Sequence, residues 1–411
     1  MRTLPLLLLL PFASAVVAAD FNPAASATNE FGLELFRKVA ADRAGKNFAL
    51  SPYSVTSAFA MAYAGADGDT REEMRRVLRF PAEDAPLRAA FAALNQSIDA
   101  ANAKANTTRN DGIEWHLANR LFAERDYSFR DSFITLLRTG YGAPLQATDF
   151  KHNAEGARNT INHWVEEQTK QKIRDLISTG GVTRNTRLVL VNALYLKAPW
   201  EFRFESENTS QKTFQLSREK SVEVPTMNRV MPVGYVQRDG FTAITLPYVT
   251  RGLQFVILLP DDANGVDQLL RKISPSLLAE CASLWTKSVK LFLPRFRIEG
   301  VTVPLGKTLQ AMGMKSAFDV PAGSANFDRA APRKPDDSLA ISEVFHQAFV
   351  AVDEEGTEAA AATAVTMMTL SVAAKPPPPP PEVHVDRPFL FAIQHQASGT
   401  CLFLGQISDP R

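Results

Sequence analysis

The stretch from Val352 to Ala364 constrains this chain more than any other. Its acidic residues Asp353, Glu354, Glu355 and Glu358 and the alanines Ala359, Ala360, Ala361 and Ala362 have the local preferences of a helix. The surroundings contradict that. The stretch follows Leu339–Val352, a β-branched and aromatic run that reads as a strand, and it leads toward six consecutive prolines, Pro376–Pro381. Gly356 breaks the run, and threonines recur at Thr357, Thr363, Thr366 and Thr369. Small side chains throughout leave the segment with no packing commitment of its own. It can stand exposed as a loop, or slide between two strands without steric conflict. The prolines cannot enter a sheet interior, because each lacks the donor a ladder needs. They read as a polyproline II spacer about 19 Å long, at roughly 3.1 Å per residue.

The 411 residues have ordinary globular composition, 45% hydrophobic and 22% charged. Forty-five basic residues balance 44 acidic ones. That balance leaves no footprint for nucleic acid or an anionic membrane. The densest basic run, Arg71, Arg75, Arg76 and Arg79, is interleaved with Glu72 and Glu73 and reads as a solvated helix face. At the start, Arg2, the apolar core Leu4–Phe12 and the small residues up to Ala19 form a secretory signal. Cleavage is expected after Ala19, with Ala15 as the other site. The core is too short, and too broken by Pro5 and Pro11, for a membrane span. The mature chain is expected to be exported and soluble: secreted, or periplasmic in a Gram-negative host. Cys281 and Cys401 are its two cysteines, too few for a disulfide framework, and two unpaired thiols are favoured.

Helical patterns fill residues 28–80, 86–103, 131–139 and 153–177. From Arg187 the chain turns mostly to strands. Leu188–Leu196 is nearly unbroken in apolar residues and should be a central strand buried on both faces. Val233–Gln237, Phe241–Pro247 and Leu253–Leu259 form a meander, with helices at 266–285 and 303–313 and strands at 289–298, 341–353, 389–395 and 400–404. Helices first and strands later, with no βαβ rhythm, argue an α+β fold in one domain over 20–411.

Catalytic chemistry is hard to find. There is no G-x-S-x-G, H-E-x-x-H or C-x-x-C pattern. Gly306-Lys307-Thr308 lacks the earlier glycine of a phosphate loop, where Val301 stands. The six histidines show no ligand spacing, so neither a metal nor a cofactor is implied.

Several motifs now converge. Asn47–Val55 resembles the opening of helix B in serpins, and Leu190–Trp200 resembles their third strand of sheet A with the turn after it. Asn162–Val165 with Thr169, Lys172 and Ile173 is similar to their helix F. Pro294–Phe296, Glu354–Thr363 and Asp386–Phe391 complete the set in family order over residues 28–411. The resemblance implies a serpin fold: three β-sheets, eight or nine helices and an exposed reactive-centre loop, here about residues 354–381. It also implies suicide inhibition of a protease. The target cuts the loop and is held as an acyl-enzyme while the loop inserts into sheet A as a new strand, the family behaviour that serves as a general example of strand addition and stored strain. By the same resemblance, Ser51, Ser54, Asn192 and His346 are a shutter beneath sheet A. Trp200 and Arg295 form a breach at its top, with Arg295 facing Glu354, and Glu354, Gly356, Thr357, Glu358, Ala359, Ala360, Ala361 and Ala362 make up the hinge, centred on Gly356 and Thr357.

The residues permit that mechanism. Alternation from Thr357 puts Thr357, Ala359, Ala361, Thr363, Val365 and Met367 on one face, all of them buriable. Glu358 places the only charge of the other face near its start. Crossing a domain of roughly 45 Å needs about 14 residues at roughly 3.3 Å each, which ends at Leu370. The expected reactive bond is therefore Leu370–Ser371, with Met368 and Thr369 as alternatives. Leucine there suits chymotrypsin-like, cathepsin G-like or elastase-like serine proteases, with cysteine proteases a further class. No arginine or lysine occurs in residues 359–374 to serve a trypsin-like enzyme. The expected product is a monomeric, non-enzymatic inhibitor. A non-inhibitory member serving as chaperone, carrier or storage protein is the alternative, and an unrelated exported enzyme is the third.

Overall fold

The computed structural model of the protein describes residues 22–108, 112–333, 338–357 and 379–411. Helices dominate the first third. Pro23–Asp42 buries the expected stripe Phe31, Leu35, Phe36 and Val39, and it starts at Asn22, whose side chain accepts from the amides of Ala24 and Ala25. Phe48–Leu50 then forms a short strand inside residues 28–80, which local pattern reads as a series of helices. Its partner is Thr400–Ile407, near the other end of the chain, which local sequence cannot reveal. Helices follow at Pro52–Gly65, Gly68–Leu78, Asp84–Thr108, Asp131–Gly140 and Phe150–Gln168.

The strands form two hydrogen-bonded networks. One has nine strands, in the order Phe48–Leu50, Thr400–Ile407, Phe389–His395, Leu253–Pro260, Phe241–Pro247, Ser221–Arg238, Thr286–Pro294 and Glu382–His384, with Ser210–Gln215 beside Ser221–Arg238. The 18-residue Ser221–Arg238 strand belongs to two sheets at once. Its end, from Gly234, pairs with Phe241–Pro247, while its beginning pairs with Ser210–Gln215 and Thr286–Pro294. The second network orders Phe296–Ile298, Ile341–Val352, Gly356–Thr357, Leu188–Pro199, Glu114–Glu124 and Gln146–Thr148, with Thr302–Pro304 beside Ile341–Val352. The result is three sheets and, among the described residues, nine α-helices, an α+β architecture.

Leu188–Pro199 is buried on both faces, as its apolar run requires. Leu188, Leu190, Leu194, Leu196 and Ala198 enter the main core. Val189, Val191, Ala193 and Tyr195 point the other way, into a smaller cluster under the Phe150–Gln168 helix. No helix among the described residues is long and apolar enough to cross a membrane. Cys281 and Cys401 are both buried free thiols.

Four further expectations need correction. The helix read over 153–177 ends at Gln168, and Lys170 and Gln171 take left-handed conformations. The remainder is irregular chain that follows apolar contacts over the sheet instead of helix propensity. The helix read over 266–285 is two, Val266–Lys272 and Pro275–Cys281, because Pro275 starts a new helix capped by Ser274. The helix read at 303–313 is a strand, Thr302–Pro304, followed by Gly306–Ala311. The strand read over 289–298 divides at Arg295, and its two pieces lie in different networks.

Candidate functional site

The site is a seam. Ile341–Val352 and Leu188–Pro199 run parallel and pair from Ile341↔Leu188 to Phe349↔Tyr195. Above that they part, and Gly356–Thr357 lies between them. Thr357 pairs antiparallel with Val352 on one side and with Ala198 on the other. Two residues of the small-residue segment thus already occupy a strand position.

The chain reaches that position through a tight turn. The Asp353 carboxylate accepts from the amides of Glu355 (2.9 Å) and Gly356 (3.2 Å), and the Asp353 amide donates to the Gly356 carbonyl. Only glycine fits at 356, since a Cβ there would fall 2.2 Å from the Ala198 carbonyl oxygen and 2.7 Å from the Pro199 Cα. The Trp200 indole donates to the Asp353 carbonyl (2.9 Å), and the Trp200 amide donates to that of Glu355 (2.9 Å). Arg295 donates to the buried Glu354 carboxylate through Nε (2.7 Å) and Nη2, and Thr209 donates to the same oxygen. Arg203 pairs with Glu355 at 2.6 Å. Because the Glu354 side chain is only 6% exposed, this pair is not the weak surface contact that its residue types alone suggest. The division of the strand at Arg295 explains the meeting: the arginine stands where the chain crosses from one network to the other.

Lower in the seam lies a buried polar row. His346 pairs with Asn192, and Asn192 with Asn119 of Glu114–Glu124, so the three side chains share the core face of adjacent strands. His346 Nδ1 bonds Asn192 Oδ1, and His346 Nε2 accepts from the Ser51 amide (2.9 Å). Ser51 also caps the Pro52–Gly65 helix, accepting from the Ser54 amide at 3.1 Å, so it is both a helix cap and a member of the row. The Ser54 hydroxyl donates to Asn119 (2.9 Å), whose amide donates to Ser57 (2.6 Å) and the Ser54 carbonyl (3.0 Å). The Asn192 amide nitrogen is buried without a partner.

Ser51, Ser54, Asn192 and His346 are therefore brought together, as are Trp200, Arg295, Glu354, Gly356 and Thr357. Glu358, Ala359, Ala360, Ala361, Ala362, Leu370 and Ser371 lie outside the described residues. Sequence reasoning missed Asn119, Thr209 and Tyr248. Asn119 carried a signal, a polar residue on the inward face of an alternating strand. Tyr248 carried none, yet it stacks on Trp200 (centroids 4.8 Å apart) and bonds the Thr357 hydroxyl. No cluster of metal-ligating side chains exists among the described residues.

Residues 26–410 match the family model described as "Serpin (serine protease inhibitor)". The chain is a serpin. Among relatives of this serpin is the leukocyte elastase inhibitor of Xenopus tropicalis, 37% identical over 392 residues, covering 94% of this chain and 99% of that one. Serpin48 of the insect Tenebrio molitor, described as a highly specific serpin, superposes with a TM-score of 0.79 at 29% identity, covering 96% of this chain and all of that one. Human thyroxine-binding globulin, solved as a thyroxine complex, superposes with a TM-score of 0.80 at 26% identity, covering 95% and 99%. Serpin architecture therefore does not by itself specify a task.

The buried row makes stability depend on pH. Burial pushes His346 from 6.5 down to about 3, and burial likewise takes His395 to about 4. The unfolded chain takes up these protons below pH 6.5 while the folded chain does not. Stability from this source is complete above pH 6.5 and is lost as pH falls toward 3, on the order of 5 kcal/mol in full for His346. In urea unfolding, the wild type should lose more stability between pH 7.5 and pH 4.5 than His346→Gln does. An equal loss in the variant would remove His346 as the cause.

Proposed function

We propose that this serpin inhibits serine endopeptidases as a suicide substrate cut at Leu370–Ser371. The protease serine oxygen attacks the Leu370 carbonyl, the bond to the Ser371 nitrogen breaks, and the protease remains esterified to Leu370. The severed loop then enters the seam.

One observation carries the reading: the seating of Gly356–Thr357 between the two seam strands. Thr357 faces Val352 and Ala198, and the same offset between the two strands holds down to His346↔Asn192. A strand continuing from Thr357 runs antiparallel to both neighbours, so each further residue meets one residue earlier on either side. Thr363 would arrive between His346 and Asn192. Met367 and Met368 would reach Leu188 and Ile341, where both strands begin. Leu370 would emerge just past them, carrying the protease to the far end. One parallel ladder is exchanged for two antiparallel ones, which are slightly more stable per residue.

Leucine before the bond favours chymotrypsin-like, cathepsin G-like and elastase-like targets. The similarity to elastase inhibitors supports the same class, and cysteine endopeptidases with apolar preference are the next to screen. Export after Ala19 belongs to the same proposal and is checked by finding Asp20 at the amino terminus of secreted protein. Incubation with chymotrypsin or neutrophil elastase should give an SDS-resistant band near the summed mass, and the released fragment should begin at Ser371. Clean cleavage with no adduct would favour the non-inhibitory reading, and a different new terminus would move the bond.

A further inference from the structure

After the Phe150–Gln168 helix the chain reverses at Lys170 and Gln171, then lays Ile173, Leu176 and Ile177 on the outer face of the seven-stranded sheet. Lys170, Lys172 and Arg174 border an open groove of about 730 Å³, lined on the opposite side by Arg297 and Glu299 and beneath by Gln347. That size falls within the roughly 300–1,000 Å³ of small-molecule sites. Four cations line it against one carboxylate. Three of the four cations fall within residues 170–174, and Arg297 joins them from a distant strand.

Two of these cations have carboxylate partners. Arg297 pairs with Glu299 (2.5 Å), and Lys170 pairs with Glu114. Lys172 and Arg297 are nonetheless gathered on one buried ring, at 5.8 and 5.1 Å from the Phe349 centroid. Both cations can therefore face the ring's electron-rich surfaces, which gathers positive charge around Phe349. The Arg174 side chain donates to the Gln171 carbonyl (3.0 Å), a neutral acceptor. Beneath them, Gln347 is 1% exposed. Its side-chain oxygen lies 3.0 Å from the Thr302 hydroxyl, while its amide nitrogen has no partner. A buried donor left unmet is rare in folded proteins and marks a place where something else completes it.

We propose that this groove binds a compact oxyanion ligand bearing several phosphate or sulfate groups, and that the bound ligand holds the seam shut. The second half rests on the insertion mechanism proposed above. Lys170, Lys172 and Arg174 belong to the segment that covers the seam, and Ile173, Leu176 and Ile177 share one apolar cluster with side chains of both seam strands. Gln347 lies on one of those strands, and Arg297 lies on the strand paired with it. An anion that ties the cover to one side opposes the parting of the strands.

The test is calorimetric titration of the full chain with sodium triphosphate, and separately with sucrose octasulfate, at ionic strength matched with sodium chloride. Saturable one-to-one binding is expected, and the arm that binds more tightly identifies phosphate or sulfate as the preferred group. Arg174→Ala with Arg297→Ala should weaken binding by about tenfold or more. Gln347→Leu should weaken it severalfold while keeping the thermal midpoint. No saturable binding of either anion, or equal affinity in the double variant, overturns the site. Saturating anion should then slow formation of the SDS-resistant protease complex by roughly fivefold or more. Binding with an unchanged rate overturns the clamp. Absence of any complex without anion bears on the inhibitory reading alone, because the titration does not depend on it.

Discussion

On the proposed insertion mechanism, Thr357→Arg should turn the protein from a trap into a substrate. Thr357 is fully buried between Val352 and Ala198, and its hydroxyl bonds Tyr248, which is stacked on Trp200. The carboxylates of the adjoining turn are already engaged, Asp353 by the Glu355 and Gly356 amides, Glu354 by Arg295 and Glu355 by Arg203, so a guanidinium in that place would be buried at a cost of several kcal/mol. Each 1.4 kcal/mol slows a step about tenfold, so strand entry should slow by about 100-fold or more. Hydrolysis of the acyl-enzyme then wins. Incubation with chymotrypsin should give complete cleavage at the wild-type bond and no SDS-resistant adduct, while Thr357→Ser should trap normally. Full trapping by the arginine variant would sink the insertion mechanism.

Thr363→Val should damage the inserted state and spare the uncut one. His346 and Asn192 bond each other in the closed seam, and a strand entering between them breaks that bond. If the inserted strand of the proposed mechanism kept the register of Thr357, the Thr363 hydroxyl would reach the gap, where it could accept from one neighbour and donate to the other. Valine has the same shape and no hydroxyl, so it leaves buried polar groups unmet, at about 1–3 kcal/mol. The thermal midpoint of the uncut protein should match wild type, that of the loop-cleaved protein should fall, and the fraction of protease trapped should drop by roughly tenfold. A cleaved Thr363→Val protein as stable as cleaved wild type would show that another residue occupies the gap.

Much of the fold and of the seam is legible in the amino-acid sequence. The unbroken apolar run of Leu188–Leu196 announces a strand buried on both sides, and the conflict between helix propensity and strand context around Glu354–Ala362 marks the inserting element of the proposed mechanism. What stays hidden depends on distant partners. Local pattern merges Thr286–Pro294 with Phe296–Ile298, because nothing nearby says that Arg295 stands between two networks. Helix propensity carries 153–177 too far, because contacts of Ile173 and Ile177 with the sheet overrule it. The pairing of Asn119 with Asn192 follows only from register, and the stacking of Tyr248 on Trp200 only from the packing of separate strands.

The apolar residues beneath the Phe150–Gln168 helix form a cluster separate from the main core. The helix and the chain after it can therefore lift as a local opening unit, with a free energy well below that of global unfolding. In the proposed mechanism the race between ester hydrolysis and strand entry would then be timed by how often this small flap breathes, and the speed of trapping could be tuned at Ile161 or Ile173 without touching the loop the protease cuts.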